Sequence, residues 1–260
     1  MDLNTVAEVI SPAGPGQWRP GDAWLGGGTV LFAEPRPHLT RLLDLTAAGW
    51  PALTLREDGL EVAATCTIAE LAACGYDIAE RCCHAFLASF KIWNVATVGG
   101  NLCAALPAGP MIALGAALDG ECLLLGPDGS RTVLVRDFVI DDGVNALREG
   151  ELLRSVHIPA EPLTARTAYR QGSLHTHGRS GVLVIGRITG EGGLALTVTA
   201  ATKRPYFLEF RAWPTAEVVQ IGLAERIPDD AYLDDVHGLA PWRRHLTRLY
   251  AEQIRQELDG

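Results

Sequence analysis

The segment KIWNVATVGGNL, residues 91–102, carries the strongest signal in the chain. Its adjacent glycines, Gly99 and Gly100, lack a Cβ atom, so their backbone N–H groups can approach a ligand closely or adopt positive φ. Thr97 and Asn101 flank them with side-chain donors and acceptors. Such a segment can surround an anionic group such as a phosphate with oriented amides. A Gly-Gly pair on its own, however, more often marks an ordinary turn.

A second glycine-rich segment, WLGGGTVL at residues 24–31, has the same arrangement. An apolar residue precedes the glycines, and a threonine and further apolar residues follow them. Two such segments fit a ligand with two phosphates better than one does. A helix starting near Thr29 would add the favourable dipole of its N-terminus. The fingerprint G-x-G-x-x-G does not occur here, which argues against a Rossmann site.

Composition limits the classes of protein to consider. The chain has 260 residues, of which 48% are hydrophobic and 20% charged, as in an ordinary globular protein with one large domain or two to three smaller ones. Its net charge of −9 argues against a nucleic-acid partner. No apolar run is long enough for a membrane span, and the N-terminus lacks signal-peptide features. We therefore expect a cytoplasmic location.

Metal and nucleophile motifs are missing from the sequence. The six cysteines form neither C-x-x-C nor C-x4-C-x2-C, so no zinc or plant-type iron–sulfur site is predicted, and most should be small buried hydrophobes. His175 and His177 could form a metal pair on a strand, but no third ligand follows at matching spacing, which favours a solvated loop. No G-x-S-x-G, H-E-x-x-H or P-loop is present.

Local patterns predict the remaining elements. Asp58-Gly59 and the turn at 126–130 indicate β-hairpins, and Thr67 with Glu70 forms a capping box that opens a helix. Amphipathic helices are predicted at 77–88 and 110–118. Beyond Pro159, apolar runs predict an antiparallel meander followed by two helices. Strands followed by packed helices are typical of an α+β domain.

Three segments together resemble one family. NVATVGGN at 94–101 looks like the second flavin-binding loop of the FAD-binding medium subunits of molybdenum hydroxylases, the xanthine dehydrogenase and carbon monoxide dehydrogenase group. Residues 26–31 resemble that family's first loop, A-G-G-T-D-L-L. Residues 235–246 resemble its D-x-x-G-S-x-x-Y-R segment. The resemblance covers nearly the whole chain.

The resemblance implies an α+β fold. Its first part would be a two-subdomain FAD-binding domain of the PCMH type, similar to that of vanillyl-alcohol oxidase, with an N-terminal subdomain at 1–52 and a second subdomain at 53–160. A small C-terminal flavoprotein domain at 161–260 would hold an antiparallel sheet and helices.

The resemblance also implies non-covalent FAD as the cofactor, with no catalytic acid or base and no metal on this chain. Leu153 would touch the flavin through its backbone. Arg170 falls where the family usually has a lysine near the isoalloxazine, and a cation there would stabilise the anionic reduced flavin. The remaining expected contacts come from the two glycine segments: Leu25, Gly26, Gly27, Gly28, Thr29, Val30 and Leu31, then Ala96, Thr97, Val98, Gly99, Gly100 and Asn101.

By resemblance, the chain would be an electron-transfer subunit of a molybdopterin-dependent hydroxylase. Molybdopterin would sit on a large partner subunit and two [2Fe–2S] clusters on a small one. Electrons would leave through FAD to NAD⁺, a quinone or O₂.

Two alternatives stay open. Val30 stands where the family often has an acidic residue and Pro110 where an aspartate is usual, so the chain could instead be a scaffold subunit that no longer binds FAD. A stand-alone oxidase with covalent FAD is disfavoured, because neither glycine segment contains His or Cys.

Overall fold

The computed structural model describes residues 3–260, and its N-terminal part is a three-stranded parallel sheet. The sheet has the order β1-β3-β2 and consists of β1 (Glu8–Ile10), β2 (Asp22–Leu25) and β3 (Arg41–Asp44). Short 3-10 helices lie at Pro15–Gln17 and Leu45–Ala48. The central strand β3 is the most deeply buried of the three, as its run of apolar residues predicts.

The prediction of a helix that starts near Thr29 is wrong. Residues 29–33 form only turns, closed by a hydrogen bond from the Phe32 amide to the Gly28 carbonyl oxygen (2.9 Å). Gly28 has a left-handed backbone (φ 71°), and Pro35 and Pro37 lack the amides that a helix would need. The connection between β2 and β3 is therefore irregular and contains turns instead of an α-helix.

A buried ion pair joins the same two strands. The Arg41 guanidinium donates from Nε to Asp22 Oδ1 (2.9 Å) and from Nη2 to Asp22 Oδ2 (2.6 Å). This bidentate pairing with Arg41 holds the pKa of the Asp22 carboxyl below its usual value.

The second part of the chain forms a five-stranded antiparallel sheet of order β4-β5-β10-β6-β7, together with a two-stranded ribbon, β8-β9. The hairpins at Asp58-Gly59 and Asp128-Gly129 are confirmed by the strand register. The strands are β4 (Leu53–Arg56), β5 (Gly59–Ala63), β6 (Glu121–Gly126), β7 (Gly129–Leu134), β8 (Val139–Asp141), β9 (Val144–Asn145) and β10 (Leu152–Pro159).

Six short helices accompany these strands: α1 (Ile68–Ala72), α2 (Asp77–His84), α3 (Phe90–Trp93), α4 (Val98–Ala104), α5 (Pro110–Ala117) and α6 (Val135–Phe138). The capping box of α1 is confirmed, since the Glu70 amide donates to Thr67 Oγ1 and the Thr67 amide donates to the Glu70 carboxylate. The helix predicted to reach residue 88 ends at His84. The Phe86 carbonyl beyond it accepts a hydrogen bond from the Trp93 indole (3.0 Å) instead of a helical amide.

Helix α5 differs from the amphipathic helix that the sequence predicts, because all eight of its residues are buried. After β10 the chain continues into α7 (Ala160–Thr164) and a third sheet, an antiparallel meander of β11 (Thr167–Gly172), β12 (Val182–Ile188), β13 (Leu194–Thr199) and β14 (Tyr206–Phe210). Helix α5 packs between α2 and this sheet, so it has no solvent-facing side.

Two helices, α8 (Ala216–Arg226) and α9 (Ala240–Asp259), complete the C-terminal part, with a 3-10 helix at Asp229–Ala231 between them. The predicted meander and the two helices after it are confirmed, and so is the α+β class. Helix α9 covers the face of β11 and β12 that α5 leaves open. Within residues 3–260, no helix combines the length and the apolar character needed to cross a bilayer.

The Arg243 guanidinium, in the first turn of α9, is 1% exposed and connects three chain segments. It donates to the carbonyl oxygens of Gly181 (2.6 Å), Ala200 (2.7 Å) and Gly238 (2.9 Å) and pairs with Asp235. The aspartate, glycine and arginine of the segment at 235–246 therefore act together in holding α9 against the third sheet.

Candidate functional site

The two glycine segments are in direct contact. A Cβ atom on Gly27 would lie only 1.8 Å from the Val95 carbonyl oxygen, and one on Gly26 would lie 3.0 Å from Thr97 Oγ1. No side chain fits between the segments at these points. The end of the parallel sheet is thus pressed against the start of α4, and this contact positions everything that follows.

The first segment presents a run of amides with no partner in the protein. Among residues 3–260, the backbone N–H groups from Gly26 to Leu31 donate to no acceptor. Backbone amides in folded proteins are normally bonded to protein or water. Consecutive amides of this kind form a concave site for an anion, such as a phosphate.

The sequence suggests that the amides of the second segment are free to bind a ligand, but several of them donate to acceptors within the protein. The amides of Val98 and Gly99 donate to the carbonyl oxygens of Cys66 (2.8 Å) and Ala64 (2.9 Å), and the Gly100 amide donates to Thr97 Oγ1 (3.0 Å). The two glycines lie in the first turn of α4 and have negative φ.

Close packing explains why glycine occupies position 99. A Cβ atom on Gly99 would lie 2.6 Å from the Cβ atom of Ala64, which follows β5. The Asn101 side chain is also engaged, since its Oδ1 accepts from the Met111 amide (3.1 Å) and so joins α4 to α5. Ligand contacts of Ala96, Thr97, Val98, Gly99, Gly100 and Asn101 stay a prediction.

A cavity of about 570 Å³ opens where the two segments meet. This volume lies within the range of small-molecule sites, about 300–1,000 Å³. The first segment contributes all of Gly26–Leu31, and the second contributes Thr97 and Gly100. The rest of the wall is Trp24, Ala33, Glu34, Arg36, Cys103, Ala104, Leu106 and Gly143.

A second cavity of about 290 Å³ shares Leu106 with the first. It lies between α4, the N-terminus of α5 and the turn before β12. Its wall contains Pro110, the residue that replaces the family's usual aspartate. The other lining residues are Ala85, Phe86, Leu87, Asn101, Ala108, Gly109, Arg179 and Ser180. Together the two cavities extend from the parallel sheet to the C-terminal part.

Two residues expected at the flavin lie elsewhere in the structure. The Arg170 side chain turns to α9, where it donates to Gln253 (3.1 Å) and pairs with Glu257 (2.6 Å). Leu153 is buried in β10 opposite Leu124. Neither residue lines the two cavities. Their roles at a flavin stay predictions.

Sequence reasoning missed two polar residues of the larger cavity. Four buried side-chain atoms lack a hydrogen-bond partner within residues 3–260, and two of them, Trp24 Nε1 and Arg36 Nε, belong to residues of its wall. Trp24 adjoins the glycine segment, but nothing in the order of residues separates Arg36 from the chain's other arginines.

The cavity is equipped for binding and not for nucleophilic chemistry. Its charged wall residues are Glu34 and Arg36. Cys103 also lines the cavity, and burial raises the pKa of its thiol to about 12, so the thiol remains protonated near neutral pH. The donors that remain are backbone amides, the Thr29 and Thr97 hydroxyls, the Trp24 indole and the Arg36 guanidinium.

Comparison with known proteins gives this site a name. A sequence profile described as the FAD binding domain in molybdopterin dehydrogenase matches residues 20–161, more than half of the chain. The chain belongs to this family. The resemblance noted in the sequence is thereby confirmed, and the region of both glycine segments is an FAD-binding domain.

Individual relatives agree with the family. The medium chain of carbon monoxide dehydrogenase from Afipia carboxidovorans is 30% identical over 156 residues, covering 56% of this chain and 54% of the relative. The chain thus matches about half the length of this curated relative.

Solved structures show that the fold extends over the whole chain. Quinoline 2-oxidoreductase from Pseudomonas putida 86 matches with a TM-score of 0.82 over 99% of this chain and 98% of that one, at 18% identity. Carbon monoxide dehydrogenase from Hydrogenophaga pseudoflava matches with a TM-score of 0.76 over 96% of both chains, also at 18% identity.

The residues present fit FAD. The unbonded amides at 26–31 suit its diphosphate, and the paired cavities offer room on both sides of that group. The contact of Gly27 with Val95 keeps the amides at the cavity wall.

Proposed function

We propose that this chain is the FAD-binding electron-transfer subunit of a molybdopterin-dependent hydroxylase or dehydrogenase. The observation that supports it best is the cavity where six consecutive unbonded amides meet the start of α4. FAD, when bound, supplies the capacity to accept and release electrons. The chain's own residues bind the diphosphate, exclude side chains from its site and set the position of the ring.

The proposed role needs partner subunits. The named relatives are a carbon monoxide dehydrogenase medium chain and a quinoline 2-oxidoreductase. We infer a large subunit with molybdopterin, a small subunit with [2Fe–2S] clusters and an external acceptor such as NAD⁺, a quinone or O₂. Exposed apolar side chains beside α4 support such an assembly, since Phe90 is 75% exposed and Leu87 is 50% exposed.

A flavin titration tests the binding function directly. The purified chain should show flavin absorbance or take up one equivalent of added FAD. FMN, which lacks the second phosphate, should bind more weakly. A well-folded protein that stays colourless and does not respond to FAD would contradict the proposal. Co-purification of the tagged chain with a molybdopterin protein and a [2Fe–2S] protein from its native host would test the assembly separately.

A scaffold subunit without FAD is the second candidate. Val30 lines the larger cavity and is 45% exposed, and Pro110 lines the smaller one, so neither can supply the carboxylate usual in the family. A scaffold would co-elute with partner subunits in gel filtration yet fail to bind FAD. The proposed subunit should do both.

A further inference from the structure

The wall of the larger cavity holds two side-chain donors that the protein leaves unused. Trp24 Nε1 and Arg36 Nε are both buried, and neither has a hydrogen-bond partner among residues 3–260. Leaving a buried donor unbonded costs about 1–3 kcal/mol, and more when it is charged. Both residues line the cavity beside six unbonded amides, so several donors without a partner are grouped around one space that can hold an acceptor ligand.

Arg36 differs from the other arginines nearby. Arg19 and Arg41 both lie within ion-pair distance of Asp22. Within the described part of the chain, no carboxylate lies within 4.0 Å of the Arg36 guanidinium, although Glu34 is on the same wall. Arg36 is partly exposed, and a guanidinium that has no counter-ion within the protein is free to pair with a bound anion.

The other two buried atoms without a hydrogen-bond partner, in Arg154 and Trp213, do not line this cavity. The Arg154 guanidinium stacks over the Trp50 ring, 4.2 Å from its centroid, and so has a partner of another kind. Trp213 lies in the C-terminal part and lines neither cavity. Arg36 has no such aromatic partner in the described residues.

Position along the chain gives the two residues different tasks. Trp24 lies in β2, two residues before the run of unbonded amides, and its indole can only donate a hydrogen bond. Arg36 lies beyond the run and brings a full positive charge. The amides alone offer partial charges to a diphosphate that carries about two negative charges at neutral pH. A guanidinium matches phosphate oxygens in geometry and charge.

We propose that Arg36 pairs with the diphosphate of FAD and that Trp24 Nε1 donates a hydrogen bond to an oxygen of the same dinucleotide. This assignment rests on the proposed function. It makes Arg36 the residue through which charge contributes to cofactor affinity, whereas Val30 offers the dinucleotide only an apolar side chain.

The test compares FAD dissociation constants of the wild type, R36Q, R36K and W24F with that of R19Q, which changes an exposed arginine that precedes β2 and lines neither cavity. R36Q should raise the Kd about 10- to 100-fold, as expected for a charge-assisted hydrogen bond. W24F keeps an aromatic ring and removes the donor, so it should raise the Kd about 2- to 10-fold. R36K should fall between the wild type and R36Q, and R19Q should match the wild type.

Two further readouts separate ligand binding from a structural role. Urea unfolding without FAD should show R36Q at least as stable as the wild type, since the substitution removes no internal hydrogen bond. Raising the salt concentration should weaken FAD binding to the wild type more than to R36Q. If R36Q does not fold, the salt dependence of the wild type and the Kd of R36K decide the question.

The outcomes distinguish the two levels of the proposal. A wild type that binds no FAD overturns the proposed function itself. A wild type that binds FAD, with R36Q equally tight or with affinity insensitive to salt, overturns the assignment of Arg36 alone. An R36Q that loses stability without FAD to the same extent as affinity assigns Arg36 to the framework of the fold and also overturns the inference.

Discussion

Replacing Gly27 with alanine should separate the two glycine segments and weaken FAD binding. The added methyl would lie 1.8 Å from the Val95 carbonyl oxygen and 2.7 Å from its carbonyl carbon. Both contacts are with backbone, so no side-chain rotation relieves them. Gly27 is not among the glycines with positive φ, and the collision is therefore the main effect of the change.

The size of the effect follows from the distance. Ordinary contact begins at 3.4 Å, so the methyl and the oxygen must separate by about 1.6 Å. Val95 is bonded at its amide to the Ile92 carbonyl (3.0 Å), whereas the amides at 26–31 have no internal partner, so the first segment should move. Overpacking costs about 1–3 kcal/mol of folding free energy. A displacement of roughly 1 Å can weaken an effect that depends on exact positioning by about 100-fold, and we apply this factor to FAD binding.

We therefore expect the Kd for FAD to rise about 100-fold in G27A, measured by flavin absorbance titration, with a free energy of unfolding about 1–3 kcal/mol lower in urea. Gly16→Ala is the matched control, because a Cβ at Gly16 meets nothing within 4 Å. A folded G27A that binds FAD within two-fold of the wild type would show that the amides of the first segment do not hold the cofactor.

Two further predictions concern the buried arginines. R243M should lower the free energy of unfolding by about 3–5 kcal/mol, because it removes the ion pair with Asp235 and the guanidinium donors to the Gly181 and Ala200 carbonyl oxygens, whereas R244Q, which removes one exposed pair, should cost less than about 1 kcal/mol in the same urea titration. Because Arg41 lowers the pKa of Asp22 below 3.8, its stabilising contribution is complete above that value and is lost as pH falls through the folded-state pKa. Urea titrations from pH 6 to pH 3 should therefore show a steeper loss for the wild type than for D22N, and parallel curves would contradict the role of this pair.

Features that depend on neighbouring residues could be predicted from the sequence. The Asp58-Gly59 hairpin and the Thr67 capping box need only a few consecutive residues, and both are present. The glycine segments sufficed to recognise the family, because close backbone contacts demand glycine whatever its neighbours are. The helix expected at Thr29 failed because the positive φ of Gly28 and the later prolines outweigh the pattern of apolar residues.

Features that depend on distant residues could not be predicted. The Gly99 amide is unavailable because the Ala64 carbonyl, 35 positions earlier, accepts its hydrogen. Arg170 faces α9 because Gln253, 83 positions later, offers an acceptor. The sequence also could not predict that Arg36 Nε lacks a hydrogen-bond partner, because this depends on which distant carboxylates the fold keeps away from it.

The position of Arg243 affects how the C-terminal part folds during translation and how it responds to truncation. Its guanidinium saturates main-chain oxygens contributed by two separate stretches of the meander. A polypeptide truncated before residue 243 would lose these hydrogen bonds together with the apolar cover that Ala251, Ile254 and Leu258 of α9 give to the meander. We therefore expect that the meander does not fold stably on the ribosome until the last helix has emerged. Nested deletions from the C-terminus should abolish folding abruptly and not gradually.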